Sequence, residues 1–379
     1  MQMTKFNLDI GGKDLTIELR NLAEQANGSC FVRFGDTMIM ATAVMGQERK
    51  GIGFFPLTVD YEERYYAAGK IRGPRYIKRE GRPSDEAILV SRLIDRSIRP
   101  LFPKEMKKEV QSIVTCLSWD AENDPDVLGV VAASTALSIS NIPWKGPLAA
   151  LRVGKINGDF VVNPTYEERE KTEFDIVFTA IEKNGKILIN MIESGSQETQ
   201  EQIILQAFDF AEPYLKKILS FQHEIIEKEG KLKAEIPTPG RNVELERDLK
   251  EFLKEKLEPA IYQKDKQERY KSTEDIKMEL FEYVGQQYPE QYENLACAGD
   301  FFDQEVDKII HENIIQRGKR PDGRGLEELR DISCEVGLLP RTHGSGLFMR
   351  GQTKALSILT LGAPGDHQIL EGMEIVGKK

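Results

Sequence analysis

Gly28–Gly46 reads GSCFVRFGDTMIMATAVMG, and Gly344–Gly362 reads GSGLFMRGQTKALSILTLG. Gly28, Ser29, Gly35, Thr37 and Gly46 thus recur at a constant offset as Gly344, Ser345, Gly351, Thr353 and Gly362. Five identities alone would carry little weight. Three of them are glycines at the turns of one hairpin, where backbone geometry demands the residue. The apolar runs that follow Thr37 and Thr353 also match in kind. The chain is therefore expected to begin a second copy of its own first domain. That copy has room only from Gly325 to Lys379, roughly a quarter of the first. A hairpin group without its helices leaves edges and an apolar face uncovered, so a fragment is expected.

Outward from this hairpin, strand and helix signals alternate over the first part of the chain. Phe6–Ile10 and Leu15–Leu19 alternate in period two, and Phe31–Phe34, Met38–Val44 and Val110–Leu117 are apolar and partly β-branched. Ser84 is placed to cap a helix whose buried stripe is expected to be Ile88, Leu89, Leu93, Ile94 and Ile98, closed by Pro100 and Pro103. Asp124 and Pro125 open a second helix, Val127 to about Ser140. Asn157-Gly158 and Asn184-Gly185 each lie between apolar runs, a strong hairpin signal. Gln197 to about Lys228 reads as one long helix with a kink at Pro213.

This pattern is α+β. Composition then changes at Ile236–Gly240, a proline- and glycine-rich linker. From Asn242 to Ile315 apolar residues fall at helical spacing amid Glu and Lys, and strand signals resume at Ile332 after a second linker, Gly318–Gly325. The expected domains are 1–235, an all-helical 241–316, and the truncated copy 325–379.

The chain has 379 residues and a formal net charge of −10, which speaks against a general polyanion binder. Yet Lys70–Lys104 holds ten basic against four acidic residues, an arrangement that steers a polyanion to one place. Cys30, Cys116, Cys297 and Cys334 are scattered, so neither a disulfide framework nor a thiolate zinc site is expected. The first residues lack a signal-peptide pattern and no apolar run is long enough to span a bilayer. A cytoplasmic protein without a membrane partner is expected.

Motifs for metals and nucleophiles fail one by one. His311-Glu312 opens like a zinc motif, but Ile315 stands where the second histidine belongs. Asp120, Glu122 and Asp124 are spaced like a calcium loop, but Pro125 and Val131 occupy its glycine and closing glutamate. Gly344-Ser345-Gly346 is not a nucleophile elbow, and His343 reads as a turn residue. No phosphate-binding or dinucleotide glycine fingerprint is present. The informative stretch is Tyr65–Pro83, a glycine- and proline-rich loop in which Tyr76 and Ile77 directly precede Lys78 and Arg79. Flat rings beside cations suit single-stranded nucleic acid, whose bases stack while phosphates are neutralised.

At Ala67–Lys70, Lys78–Ser84, Arg92–Arg96 and Ile98–Pro103 the chain resembles the bacterial polynucleotide phosphorylase family. It does so again at Lys319–Arg324 and Ser333–Ser345. The resemblance runs in order along the whole chain. It implies a ribonuclease PH-like core (βαβα, ribosomal protein S5 domain 2-like), a small all-α domain, and the start of a second ribonuclease PH-like core. It further implies a phosphorolytic 3′-to-5′ exoribonuclease of mRNA decay and RNA processing. Such an enzyme uses inorganic phosphate as co-substrate and Mg2+ as cofactor, releases nucleoside diphosphates, and runs backward as template-free polymerisation. Homotrimeric rings threaded by single-stranded RNA, and RNA-degradation partners, belong to the same picture.

In the family's pore loop two aromatics precede two arginines; here Tyr76, Ile77, Lys78 and Arg79 hold those RNA-binding places. The family's phosphate turn aligns with Gly129–Thr135, which lacks an arginine, and its metal-binding aspartate pair aligns with Arg169 and Asp175. A cation cannot ligate magnesium, so Asp175 is expected to be a surface or strand-end residue. No catalytic or metal-ligating residue is therefore assigned in this chain. The working site, by resemblance, belongs to the second core beyond position 379, as do RNA-binding modules of KH and S1 type. The rival reading is a non-catalytic RNA-binding or ring-assembly protein.

Overall fold

The computed structural model describes residues 3–20, 22–48, 54–71, 81–236, 243–288, 292–374 and 376–378. Packing divides them into two units, Met1–Pro237 with His367–Lys379, and Thr238–Asp366. The stretch 325–379 is thus shared between the units.

In the first unit, β1 (Met3–Ile10), β2 (Lys13–Arg20), β3 (Gly28–Phe34), β4 (Thr37–Glu48), β5 (Leu57–Glu63) and β6 (Lys108–Ser118) form one sheet in the order β1-β2-β3-β4-β6-β5. Only β5 and β6 run parallel, and α1 (Asp85–Ile98) is the crossover between them. Ser84 caps α1 by accepting from the Ala87 amide at 3.0 Å, as its position foretells.

The buried face of α1 is Ala87, Leu93, Ile94 and Ile98, whereas Ile88 and Leu89 are 45% and 52% exposed. The expected stripe was too wide. Helical periodicity marks apolar positions, but β5 and α2 (Pro125–Ile139) cover only one side of the helix. α2 is buried at every position from Val127 to Ile139, packed between β3, β4 and β6 on one side and β7 (Ala149–Ile156) on the other.

β7 joins β8 (Asp159–Val162), β9 (Phe174–Lys183) and β10 (Lys186–Ser196) in a second sheet, order β10-β9-β7-β8. Both hairpins turn on Asn-Gly pairs in left-handed backbone: Asn157 and Gly158 at φ 52° and 92°, Asn184 and Gly185 at 54° and 73°. The short helix α3 (Tyr166–Arg169) follows β8, and α4 (Glu201–Glu229), with Pro213 inside it, packs on β7 and β9.

The second unit holds α5 (Val243–Leu253), α6 (Leu257–Ile261), α7 (Lys266–Gln287) and α8 (Tyr292–Arg317). Leu245, Leu249, Leu253, Leu257, Leu280 and Val284 centre its core. A sheet β11 (Ile332–Val336), β12 (Gly344–Arg350) and β13 (Thr353–Leu359) follows. This sheet repeats β2–β4. β12 pairs with β13 from Arg350↔Thr353 to Gly344↔Leu359, as β3 pairs with β4 from Phe34↔Thr37 to Gly28↔Ala43. The turns match as well, with Gly35 at φ 61° and Gly351 at 59°. In the first copy Val32 and Ile39 are fully buried, whereas Phe348 and Leu359, on the corresponding face, are 45% and 54% exposed.

Candidate functional site

Charged side chains of the first unit converge on the N-terminus of α2. Asp124 caps that helix, accepting from the Asp126 amide at 3.0 Å, with Pro125 as the first helical residue. A helix N-terminus favours an anion, and here the chain supplies its own in Asp124 and Asp126.

Two arginines face these carboxylates. Arg152 lies on β7 and pairs across the sheet with Val177, so Asp175, two residues away on β9, is its diagonal neighbour on the same face. Its Nη1 donates to both Asp175 oxygens at 2.6 Å. Its Nη2 reaches Asp124 at 3.1 Å and also pairs with Asp126. Arg169 ends α3, which a capping box of Thr165 and Glu168 starts. Its Nε donates to Asp175 at 2.9 Å and its Nη1 pairs with Asp124.

Arg152 is only 7% exposed, so this is a largely desolvated network. Burial opposes the Asp124 charge, but Arg152 and Arg169 outweigh it and hold that carboxyl below its ordinary value. Burial, with Asp124 alongside, pushes the Asp126 carboxyl well above its ordinary value despite Arg152.

Three expectations meet this geometry. Asp175 is the second residue of β9, the strand-end place expected of it, and there both arginines bond it. Gly129–Thr135 lies where the second helix was expected, wholly buried inside α2 with its amides in the helix, and cannot wrap an anion. The Arg169 and Asp175 pair is a direct ion pair rather than a broken metal site with a spare ligand. Magnesium needs free oxygen ligands. Asp124, Asp126 and Asp175 each spend theirs on guanidinium groups, and among the described residues no group of three or more His, Cys, Asp or Glu could hold a metal ion. The residues present do not fit a divalent cation. A cavity of about 20 Å³ beside Arg152 and Asn163 has room for one water and none for a nucleotide.

Asp120 also has a structural task. It accepts from the amides of Asp36 and Thr37 at 3.0 and 3.2 Å and from those of Glu122 and Asn123 at 2.9 and 2.8 Å. It thereby ties the start of β4 to the loop before α2.

Tyr76, Ile77, Lys78 and Arg79 lie outside the described residues. Of the basic strip's described members, Arg96 pairs with Glu193 at 3.1 Å and Arg99 with Asp95 at 2.6 Å. Lys70 donates to the Met373 carbonyl at 2.6 Å. Arg152 and Asp126 were not anticipated. The available signal was one arginine inside the apolar run Ala149–Val153, since a charge in a buried strand must be paired.

Comparison with known proteins fits this architecture. Residues 11–143 and 146–212 match the 3′ exoribonuclease family, domains 1 and 2, and residues 244–325 match the polyribonucleotide nucleotidyltransferase RNA binding domain. A polyribonucleotide nucleotidyltransferase of Heliobacterium modesticaldum is 43% identical over 100% of this chain and 52% of its own length. That of Bacillus cytotoxicus is 43% identical over 99% of this chain and 52% of its own, and that of Syntrophomonas wolfei 41% over 100% and 53%. The chain therefore spans about half the length of the curated relatives it matches. Two domains of the exoribonuclease fold, the helical domain that follows them and this level of identity place the chain in the 3′ exoribonuclease family, among the polyribonucleotide nucleotidyltransferases.

Proposed function

We propose that the chain belongs to a phosphorolytic 3′-to-5′ exoribonuclease, in which its first unit guides single-stranded RNA and does no chemistry. The observation that carries the second half is the filled N-terminus of α2. Phosphate entering there would meet Asp124 and Asp126, already satisfied by Arg152 and Arg169. Attack of phosphate on the RNA 3′ phosphodiester, and the magnesium that serves it, then belong to the second copy of the fold. The strip from Lys70 to Lys104, which includes Tyr76, Ile77, Lys78 and Arg79, is the RNA contact. A cytoplasmic homotrimeric ring, with RNA-degradation partners, completes the proposal on the family resemblance.

The test uses the 379-residue chain with labelled oligoadenylate, inorganic phosphate and magnesium. RNA should be bound without release of nucleoside diphosphate. Magnesium-dependent phosphorolysis by the purified chain would overturn the assignment of the first unit as non-catalytic.

A further inference from the structure

Beyond the second unit the chain returns to the first. β14 (Ile369–Glu371) and β15 (Val376–Lys378) pair as a short hairpin, and Met373 between them has no exposed surface and packs into the first unit's core. Its carbonyl accepts from Lys70 Nζ at 2.6 Å, and that ammonium lies 5.6 Å from the centre of the Trp119 ring. Glu374 accepts from the Tyr166 hydroxyl at 2.6 Å. Tyr166 stands edge-on to Trp119 at 5.8 Å, with the Arg169 guanidinium 5.5 Å from its ring centre.

The surroundings of Glu374 are unfavourable to its charge. Asp124 faces it from the N-terminus of α2, Glu63 from β5 and Glu86 from α1, while Tyr61 on β5 and Cys116 on β6 are neutral neighbours. Lys70 spends its ammonium on the Met373 carbonyl, and Arg169 is held by Asp124 and Asp175. Among the described residues no ion pair reaches Glu374. Burial first, then Asp124, Glu63 and Glu86, raise its carboxyl from 4.5 to about 7, against the opposing pull of the Tyr166 hydrogen bond.

We propose that Met373 and Glu374 form a proton-operated clasp on the first unit: Met373 and the Lys70 bond seat the segment, and Glu374 stays seated among the surrounding carboxylates when protonated and is expelled from them when ionised. The docked value lies above the ordinary one, so the docked state binds more protons between them. The clasp is therefore fully formed below the ordinary value of 4.5 and weakens as pH rises through about 7. The docking equilibrium falls by up to about tenfold per pH unit in that window.

Trp119 touches both Tyr166 and Lys70, so its emission reports docking. The full chain is titrated from about pH 5.5 to about pH 8.5 by tryptophan fluorescence. The wild type should show one transition near neutrality, and Glu374→Gln should keep the low-pH emission throughout. Hydrogen exchange of 369–378, corrected for the intrinsic effect of pH, should lose protection above neutrality in the wild type and keep it in Glu374→Gln. A flat wild-type titration overturns the clasp. So does a transition that survives in Glu374→Gln, since it would then belong to another group.

Discussion

Arg152 and Asp120 are both polar groups spent on holding the fold, and they differ in how much water they give up. Arg152 is nearly desolvated and keeps three aspartates in place. Asp120 stays partly hydrated and collects hydrogen bonds from Thr37 Oγ1 at 2.9 Å and Asn123 Nδ2 at 2.7 Å besides four amides. Burial alone would raise its carboxyl, but those donors hold it down at about 2, below the usual 3.8. A folded value below the unfolded one means the unfolded chain binds more protons as acid is added. The stabilisation is complete above about 3.8 and is lost as pH falls through about 2. Asp120→Asn should lower the melting temperature at neutral pH and flatten its decline in that acid window. Parallel acid profiles for wild type and variant, recorded by circular dichroism, would show that the loop does not depend on this carboxylate.

The repeat allows the same substitution to be compared with and without a covering helix. A Cβ on Gly28 would lie 2.2 Å from the Ala136 carbonyl oxygen and 2.9 Å from Ser140 Cβ, so α2 or β3 must move. On Gly344, at the matching place, its nearest neighbour would be Leu359, at 3.3 Å from its Cβ, and Leu359 is 54% exposed. Gly28→Ala should cost about 1–3 kcal/mol of the first unit's stability, and Gly344→Ala should stay within about 0.5 kcal/mol in the second. Urea unfolding of each variant gives the comparison, and equal losses would mean that the close approach of α2 is not what demands glycine. Much of the architecture was legible because its signals are local: Ser84 and Asp124 as caps, the two Asn-Gly turns, and the glycines of the repeat. What escaped depends on a distant partner. Ile88 and Leu89 are apolar at helical spacing, yet nothing in their own segment says which side meets β5 and α2. Asp175 was flagged by the family resemblance and placed at a strand end, but its partner escaped, because Arg152 lies on another strand. Tyr166 meets Glu374 across 208 positions, beyond any pattern in sequence.

A net charge of −10 and a strip with ten basic and four acidic residues make opposite demands on an RNA strand. The acidic body repels it from most of the surface, and the strip attracts it to one place. Described cations of the strip are partly committed, Arg96 to Glu193, Arg99 to Asp95 and Lys70 to a carbonyl. On the proposed reading, phosphate neutralisation falls on the strip's other cations, Lys78 and Arg79 of the loop among them. Each phosphate neutralised there releases counterions, which gives affinity a salt dependence of about 0.7 log units per phosphate per decade for a single strand. Lys78→Ala with Arg79→Ala should weaken binding to oligo-A and oligo-U alike and flatten the slope by about 0.7 for each phosphate that is no longer neutralised. Ile77→Tyr should tighten binding by about 1–3 kcal/mol through base stacking and leave the slope unchanged, since stacking displaces no counterions. Fluorescence anisotropy over a range of salt concentrations separates the two effects. If the double variant keeps the wild-type affinity and slope, the loop is an ordinary solvated surface and RNA is drawn in elsewhere.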